Sequence, residues 1–171
     1  PAQNKEKSEQ WLASIEKKSG VQKTESGLLY KVEKEGDMSM RATDDRDVVK
    51  VHYKGTKSNG KVFDASRFAD MPKMRQEIMK KQMPEAYDKD EPIEFPLNRV
   101  IKGWTEGMKL VGKGGKITLW IPAELAYGPR GNRGIGGNEA LRFDVELIDV
   151  TPYEEPAPAE TAPAEEQPAE E

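Results

Sequence analysis

The chain has 171 residues, a net charge of −4, and a composition that is 35% apolar and 34% charged, which fits one domain with strongly solvated appendages. It contains no cysteine and one histidine, which excludes a disulfide framework, a thiolate metal site and a cysteine nucleophile, and leaves little room for a zinc site or a Ser-His-Asp triad. No apolar stretch approaches the ~20 residues that span a bilayer. The sequence begins at Pro1 without an initiator methionine, so we expect a processed chain whose targeting segment has been removed.

An amino-terminal helix is predicted over residues 5–18, because Trp11, Leu12 and Ile15 share one stripe among lysines and glutamates. Two interpretations of this stripe stay open. The helix docks on its own domain, or it is the stub of a longer helix that pairs with a second copy and makes a homodimer. Residues 1–26 are accordingly assigned to a helix and a linker.

Alternation with a period of two residues begins at Gly27 and predicts antiparallel strands. The clearest strand covers residues 49–54, and it places His52 on the polar side, where we expect it to be solvated. The Asn-Gly pair at 59–60 predicts a hairpin turn, since both residues tolerate positive φ, and residues 62–64 return as the partner strand.

Residues 68–91 interrupt this alternation and are predicted to form a helical insert. Asp70 as the N-cap and Pro72 in the first turn indicate where the helix begins. Its apolar side chains share one stripe, formed by Met71, Met74 and Ile78. A methionine-rich stripe can be an adaptable binding surface, but such stripes more often pack onto their own domain, and that is the interpretation we favour.

The second half of the domain returns to strands around one short helix. A strand is predicted over residues 93–97, and Asn98 is expected to cap a helix with a four-residue buried face, made of Val100, Ile101, Trp104 and Met108. Further strands are predicted at 116–121 and 141–150, with a glycine-rich loop at 128–137 between them. Several antiparallel strands around one helix make an α+β fold.

The end of the chain differs in composition from the rest. Residues 151–171 hold seven glutamates and no lysine or arginine, so without them the net charge of −4 becomes +3 for residues 1–150. A Pro/Ala/Glu segment of this kind cannot bury enough apolar surface to offset the entropy of ordering, so we expect a disordered acidic tail. A small positive charge on the remainder is ordinary and argues against a nucleic-acid partner.

Three weaker motifs carry no function in this interpretation. Residues 107–114 approach a phosphate-binding loop, but Gly114 occupies the hydroxyl position and a strand follows where a helix is needed. Residues 134–136 (Gly-Ile-Gly) weakly resemble the glycine pattern of a dinucleotide-binding loop, but they also lead into a strand and are interpreted as a flexible loop. The acidic run at 44–47 could hold a cation, although a polar turn before a strand is the favoured interpretation. No metal and no cofactor are predicted.

The remaining signature consists of five stretches: 51–55 (VHYKG), 60–67 (GKVFDASR), 95–104 (FPLNRVIKGW), 121–128 (IPAELAYG) and 141–147 (LRFDVEL). In this order they resemble an FKBP-type peptidyl-prolyl cis-trans isomerase over about residues 27–150. Residues 26–32 (SGLLYKV), after a lysine-rich helix, are similar to the macrophage-infectivity-potentiator branch of bacterial envelope isomerases. The resemblance implies a curved antiparallel β-sheet wrapped around one short α-helix, and a location in the bacterial periplasm or cell envelope.

The same resemblance implies a substrate pocket. Trp104 would be its floor, and its walls would be Tyr53, Phe63, Phe95, Val100, Ile101 and Phe143. The hydroxyl of Tyr127 and the backbone N–H of Ile101 would face the substrate, the latter holding a carbonyl. Asp64 would lie at the rim near the rotating amide, and Ile135 would cover one side from the glycine-rich loop. A core alone would not explain the polar pair Asp64 and Tyr127 among these aromatic residues.

The implied activity is rotation about Xaa-Pro bonds in proline-containing polypeptides, which assists protein folding without a cofactor or metal. The alternative is a binding module or chaperone of the same fold with little turnover, gripping apolar segments through the insert. At 136–138 this chain has Gly-Gly-Asn where relatives place an apolar residue and prolines. That wall is thus thinner and more mobile, which weighs against tight binding of FKBP-directed macrolides more than against turnover.

Overall fold

The computed structural model describes residues 2–132 and 135–153, and seven strands run through this part of the chain. In chain order, the strands are β1 (Gln22–Lys23), β2 (Leu29–Lys34), β3 (Val48–Lys57), β4 (Val62–Ala65), β5 (Ile93–Pro96), β6 (Lys116–Ile121) and β7 (Leu141–Thr151). The helices are α1 (Ala2–Glu16), α2 (Lys73–Gln82) and α3 (Lys102–Gly107). All strand pairs are antiparallel, which confirms the α+β prediction.

The sheet has the order β1-β2-β6-β7-β3-β4, and β5 pairs with β3 as well. On one edge β3 pairs with β7 from Val48 to Lys57. On its other edge, Val48–Val51 pair with β5 and Lys54–Thr56 pair with β4. Strands β4 and β5 therefore lie end to end along β3, and the chain between them, residues 66–92, leaves and rejoins the sheet along this one edge.

The concave side of the sheet holds the hydrophobic core, and α3 lies against it. Trp104 is 4% exposed and Met108 is fully buried. Glycines let α3 approach β6 closely: a Cβ on Gly103 would lie 2.6 Å from Cγ2 of Ile121. The segment therefore forms a short helix whose close fit against the sheet leaves no room for a larger side chain at this position.

Helix α1 packs on the opposite side of β2 and β6. Ile15 is 5% exposed and forms a second, smaller cluster with Leu29 and Trp120, which Trp11 and Leu12 complete. The apolar stripe of the amino-terminal helix is thus buried against its own domain. The alternative role of this helix in a dimer is not needed to account for the stripe.

Two predicted helix starts are wrong. Asp70 ends a 3₁₀ turn, and α2 begins at Lys73 with Pro72 at the N-cap position. Asn98 likewise lies within a 3₁₀ turn, and α3 begins at Lys102 with Ile101 at the N-cap. In the second case the turn buries Leu97 completely, and this tertiary contact takes precedence over the local capping preference of Asn98.

The predicted packing of the methionine-rich stripe is also wrong. Met74 is 76% exposed and Ile78 is 47% exposed, and α2 contains no buried residue. Nε2 of Gln76 donates to the carbonyl oxygen of Phe68 (2.9 Å), which ties α2 to the 3₁₀ turn of the same insert, and Arg75 forms an ion pair with Asp64 of β4 that is described below. The apolar side chains of Met74 and Ile78 are therefore left in solvent.

His52 is buried rather than solvated, at 7% exposure. The turn after β4 covers it, with 3.0 Å between Nδ1 of His52 and Oγ of Ser66. Arg67 and Glu146 form an ion pair (2.9 Å), and both residues lie with His52 around one concavity on the outer face of the sheet. Burial lowers the pKa of His52 below its ordinary value, and the nearby positive charge of Arg67 lowers it further.

The acidic run at 44–47 forms the polar turn that the sequence favours. The carboxylate of Asp47 accepts backbone N–H groups from Thr43, Asp44 and Tyr153, which tie this turn to the end of the chain described here. Burial at 4% exposure raises the pKa of Asp47, but these hydrogen bonds together outweigh it and hold the pKa below its ordinary value. The acidic tail predicted to be disordered lies outside the described residues from 154 onward. No helix in the described part of the chain is long and apolar enough to cross a membrane.

Candidate active site

A cavity of about 360 Å³ opens on the concave side of the sheet, where α3 meets β3, β4, β5 and β7. Of the residues that the structure describes, ten line it: Tyr53, Phe63, Asp64, Phe95, Arg99, Val100, Ile101, Trp104, Tyr127 and Phe143. Most of this surface is aromatic or aliphatic, so a ligand that enters the cavity exchanges water for apolar contacts.

Trp104 holds the centre of an aromatic cluster. Its ring lies 5.3 Å from that of Tyr53, 5.4 Å from that of Phe95 and 5.4 Å from that of Phe143, each in an edge-to-face arrangement. Such pairs contribute about 0.5–1.5 kcal/mol each beyond the burial of apolar area. The rings are therefore held in fixed positions by one another.

Gly55 on β3 makes room for two of these walls. A Cβ at this position would lie 2.7 Å from Cζ of Phe63 and 2.8 Å from Cε1 of Phe143. The rings of Phe63 and Phe143 also meet each other edge to face, 5.5 Å apart. The shape of this wall thus depends on a backbone position that has no side chain.

Asp64 supplies the cavity's carboxylate, and its oxygens have several hydrogen-bond donors. The hydroxyl of Tyr53 donates to Oδ2 (2.7 Å), while the backbone N–H of Ala65 (2.9 Å) and Nη1 of Arg75 (3.1 Å) donate to Oδ1. Burial raises the pKa of Tyr53 well above its ordinary value, and the bond to Asp64 adds to this effect. Tyr53 therefore stays a neutral donor, and Asp64 is held in one orientation.

Tyr127 and Ile101 each offer the cavity an open hydrogen-bond donor. Tyr127 is half-buried, and within residues 2–132 and 135–153 its hydroxyl makes no hydrogen bond. Ile101 precedes the first turn of α3, and its backbone N–H has no acceptor in the same part of the chain. The first N–H groups of a helix lack intrahelical partners. A bound carbonyl oxygen could accept from either group.

The structure brings together nine of the ten site residues that the sequence analysis names. Ile135 is the one that does not line the cavity: it is 5% exposed and packs into the main hydrophobic core. Sequence reasoning missed Arg99, which does line the cavity. No periodicity or motif points to a single exposed arginine in a turn, so only the spatial arrangement reveals it.

The FKBP-type peptidyl-prolyl cis-trans isomerase family matches residues 40–148, which is more than half of the chain and includes every residue of the cavity. The chain belongs to this family. A second family, described as the domain amino terminal to the FKBP-type peptidyl-prolyl isomerase, matches residues 1–32 and so includes α1. The resemblance that the five stretches carry is thereby confirmed.

Two bacterial relatives of this FKBP chain are both named FKBP-type peptidyl-prolyl cis-trans isomerase FkpA. The protein from Aeromonas hydrophila is 43% identical over 156 residues, covering 91% of this chain and 48% of its own length. The protein from Escherichia coli strain K12 is 42% identical over 151 residues, covering 88% and 48%. The chain therefore spans about half the length of these relatives.

Solved structures agree with the FKBP fold. The crystal structure of FkpA from Escherichia coli superposes with a TM-score of 0.71 at 42% identity, covering 88% of this chain and 61% of that one. A peptidyl-prolyl cis-trans isomerase from Pseudomonas syringae superposes with a TM-score of 0.69 at 27% identity, covering 88% and 95%.

The loop that closes this FKBP domain between β6 and β7 is fastened by α1. Oγ of Ser8 donates to the carbonyl oxygen of Asn138 (2.8 Å) and accepts the backbone N–H of Ala140 (2.8 Å). Asn4 adds a bond to the carbonyl oxygen of Gly137 (3.1 Å). Asn138 has a φ of 62°, a conformation that asparagine tolerates better than most residues. The amino-terminal helix thus positions part of the loop that the sequence analysis expects to be mobile.

A second concavity, of about 400 Å³, lies on the outer face of the sheet. Its lining is mostly charged and carries both signs, with Lys54 and Arg142 beside Asp144 and Glu146. This surface lacks the continuous aromatic wall of the first cavity, so we place the candidate site on the concave side.

Proposed function

We propose that this chain catalyses cis-trans isomerisation of Xaa-Pro peptide bonds in unfolded or extended polypeptides and so assists protein folding. The observation that carries this proposal is the aromatic cavity itself, with Trp104 at its floor and the open donors of Tyr127 (hydroxyl) and Ile101 (backbone N–H) on its wall. Its single carboxylate, on Asp64, is fully engaged by neighbouring donors. This arrangement suits a reaction in which no covalent bond is broken.

The physics of the reaction explains why such a cavity suffices. Rotation about the amide bond meets a barrier of ~18–20 kcal/mol because resonance is lost at the twisted geometry, and unaided it takes tens to hundreds of seconds. The planar amide is more polar than the twisted one, so a dry apolar wall raises the free energy of the planar ground state more. A hydrogen bond from Ile101 or Tyr127 that fits the twisted carbonyl then favours the transition state.

The required effect is modest for an enzyme. Lowering the barrier by about 4–7 kcal/mol accelerates rotation roughly 10³–10⁵-fold. Differential binding of one amide by a few apolar contacts and one or two hydrogen bonds is of this order. The proposed roles are therefore Trp104 as floor, Tyr127 and Ile101 as donors, and Asp64 as the rim group that fixes Tyr53 by a hydrogen bond.

The direct test is turnover of a panel of cis-Xaa-Pro peptides by the intact chain, with and without an FKBP-directed macrolide. We expect acceleration of the cis-to-trans rate in proportion to enzyme concentration, and only weak inhibition by the macrolide, because the Gly-Gly-Asn sequence at 136–138 weighs against tight macrolide binding. A rate equal to that of the uncatalysed peptide would contradict the proposal. Acceleration without inhibition would restrict the ligands of the cavity to peptides.

The alternative function, a chaperone that grips apolar segments with little turnover, is favoured by the exposure of the insert. Met74, Ile78 and Met83 are each more than two-fifths exposed and lie on or next to α2. Deletion of residues 70–91 separates the two functions. Loss of aggregation suppression with retained isomerase activity would indicate a dual role, whereas an intact chain without isomerase activity would favour the chaperone alone.

The remaining proposals concern organisation and location. We propose an isomerase domain over residues 27–150, preceded by helix and linker at 1–26 and followed by the acidic tail at 151–171. The match of an amino-terminal family to residues 1–32 supports the first division. A homodimer through the amino-terminal helix is tested by light scattering and by analytical ultracentrifugation. A periplasmic or envelope location is tested by cell fractionation.

A further inference from the structure

The charges at the cavity mouth are unevenly compensated. Of the residues that line the cavity, Asp64 and Arg99 are the charged ones. A substrate that reaches the aromatic floor must therefore pass one carboxylate and one guanidinium. Which charge it meets depends on the partners that each of them already has.

The charge of Asp64 is offset by the insert. Nη1 of Arg75, in α2, lies 3.1 Å from Oδ1 of Asp64, and the two side chains are 47% and 34% exposed. The hydroxyl of Tyr53 and the backbone N–H of Ala65 donate to the same carboxylate. Asp64 thus offers little net negative charge to a substrate, and the residue that neutralises it comes from residues 68–91.

Arg99 is not offset in this way. It is exposed at the cavity wall, and its side chain forms no ion pair or hydrogen bond within residues 2–132 and 135–153. It therefore leaves one uncompensated positive charge at the mouth of the cavity.

The backbone that carries Arg99 is firmly held. Arg99 ends the 3₁₀ turn Leu97–Arg99, whose Leu97 is fully buried and donates its N–H to the carbonyl oxygen of Asp47 (2.9 Å). Oγ1 of Thr105 donates to the carbonyl oxygen of Leu97 (2.6 Å), which ties the turn to α3. Arg99 also lies two residues before Ile101, one of the open donors. Its Cα is thus fixed close to the place where a substrate carbonyl would bind.

We propose that Arg99, with Asp64 neutralised by Arg75, gives this chain a preference for Xaa-Pro segments that carry a carboxylate next to the proline. The inference rests on the proposed isomerase function and specifies its substrate class. An aspartate or glutamate beside the bound proline would pair with Arg99 and meet no opposing charge from Asp64. A lysine or arginine there would be repelled.

The size of the preference follows from the exposure of the groups. Exposed ion pairs are weak and are screened by salt, so we expect a ratio of about two- to fivefold between a peptide with glutamate and the same peptide with its neutral isostere glutamine at low ionic strength. The ratio between acidic and basic peptides should be larger, because attraction is replaced by repulsion. Both ratios should approach one in ~0.5 M salt, where charges more than a few ångströms apart are screened.

The test uses peptides that differ only in the residue before or after proline, with Glu, Gln or Lys at that place. The quantity measured is kcat/KM of the full chain at low and high salt. Arg99→Gln should reduce the Glu-to-Lys ratio towards one, and Arg99→Glu should invert it. Arg75→Gln, which exposes the charge of Asp64, should lower the same ratio by a smaller factor.

Lys17→Gln is the matched control, because it removes one positive charge from an exposed residue just after α1, on the other side of the sheet. It should leave the Glu-to-Lys ratio unchanged. The inference is overturned if the unaltered chain shows no charge preference, or if Arg99→Gln leaves the ratio as it was, while turnover of the glutamine peptide persists. Absence of turnover for every peptide would instead overturn the proposed isomerase function.

Discussion

The aromatic cavity and helix α2 are linked by one ion pair and are built in opposite ways. The cavity floor, Trp104, is 4% exposed and touches three other rings, whereas Met74 of α2 is 76% exposed and its helix buries no residue. The cavity residues therefore contribute to the stability of the fold and to the site together. Residues of α2 contribute little to folding, so their side chains are free to change the properties of the site without loss of stability.

The largest effect is expected from Trp104→Ala. Removing a buried aromatic side chain lowers the free energy of unfolding by about 3–5 kcal/mol, and it removes the floor of the cavity. We expect kcat/KM towards Xaa-Pro peptides to fall at least ~10-fold, which corresponds to a loss of about 1.4 kcal/mol of transition-state binding. Denaturant unfolding and a proline-limited refolding assay measure the two effects.

The matched control for this change is Val111→Ala, at a fully buried residue that does not line the cavity. It should reduce stability while leaving turnover unchanged under conditions where the protein is folded. Equal turnover by Trp104→Ala and Val111→Ala would show that the indole serves only the core.

A smaller effect is expected from Tyr53→Phe, which removes the hydroxyl that donates to Asp64 (2.7 Å). The free energy of unfolding should fall by ~1–2 kcal/mol, since a partly buried carboxylate loses one donor. Tyr30→Phe is its counterpart, because the hydroxyl of Tyr30 donates to Gln22 (2.9 Å) in an exposed place. That variant should change stability by less than ~0.5 kcal/mol. Similar losses in both variants would contradict the special role of the Tyr53–Asp64 bond.

The next prediction concerns pH and His52, the one histidine of the chain. Its pKa is lowered in the folded protein, chiefly by burial and further by Arg67, while Glu146 and Asp90 act in the opposite direction. The unfolded chain therefore binds more protons, and the free energy of unfolding rises with pH. The stability that neutral His52 contributes is fully present above the ordinary pKa of histidine, ~6.5. It is lost as the pH falls from there through the lowered pKa of the folded protein.

Two measurements check this sign. A titration of the His52 ring by NMR should give a midpoint below ~6.5, and His52→Gln should have a flatter dependence of unfolding free energy on pH in that range. Asp44 and Glu146, whose pKa values are lowered by Arg46 and Arg67, titrate at lower pH and leave the comparison intact. A midpoint above the ordinary value would contradict the burial of His52.

The smallest effect is expected from the double variant Met74→Ser and Ile78→Ser. Both side chains are exposed, so the free energy of unfolding should change by no more than ~0.5 kcal/mol. If α2 grips apolar segments, the same variant should suppress aggregation of an unfolded protein less well. A large loss of stability would mean that α2 packs on the domain after all.

The fold was largely predictable because alternation within a strand reports which side of the sheet is buried. The central strand at 49–54, the Asn-Gly hairpin and the final strand at 141–150 follow from this local pattern. The helix starts at Asp70 and Asn98 were predicted wrongly because their capping preferences are weak compared with tertiary contacts such as the burial of Leu97. Most cavity residues were named through family resemblance, which carries spatial information that a local pattern lacks.

The sequence by itself determined the strand pattern, the family and the aromatic character of the site, since these depend on residue types at short spacing. Only the tertiary structure decided that His52 is buried and that Met74 and Ile78 are exposed. It also decided that Arg75 offsets Asp64, while the side chain of Arg99 has no partner among residues 2–132 and 135–153. Each of these outcomes depends on which distant segment covers a side chain or lies beside it. Charge compensation and solvent exposure are properties of neighbours in space, and local sequence does not specify them.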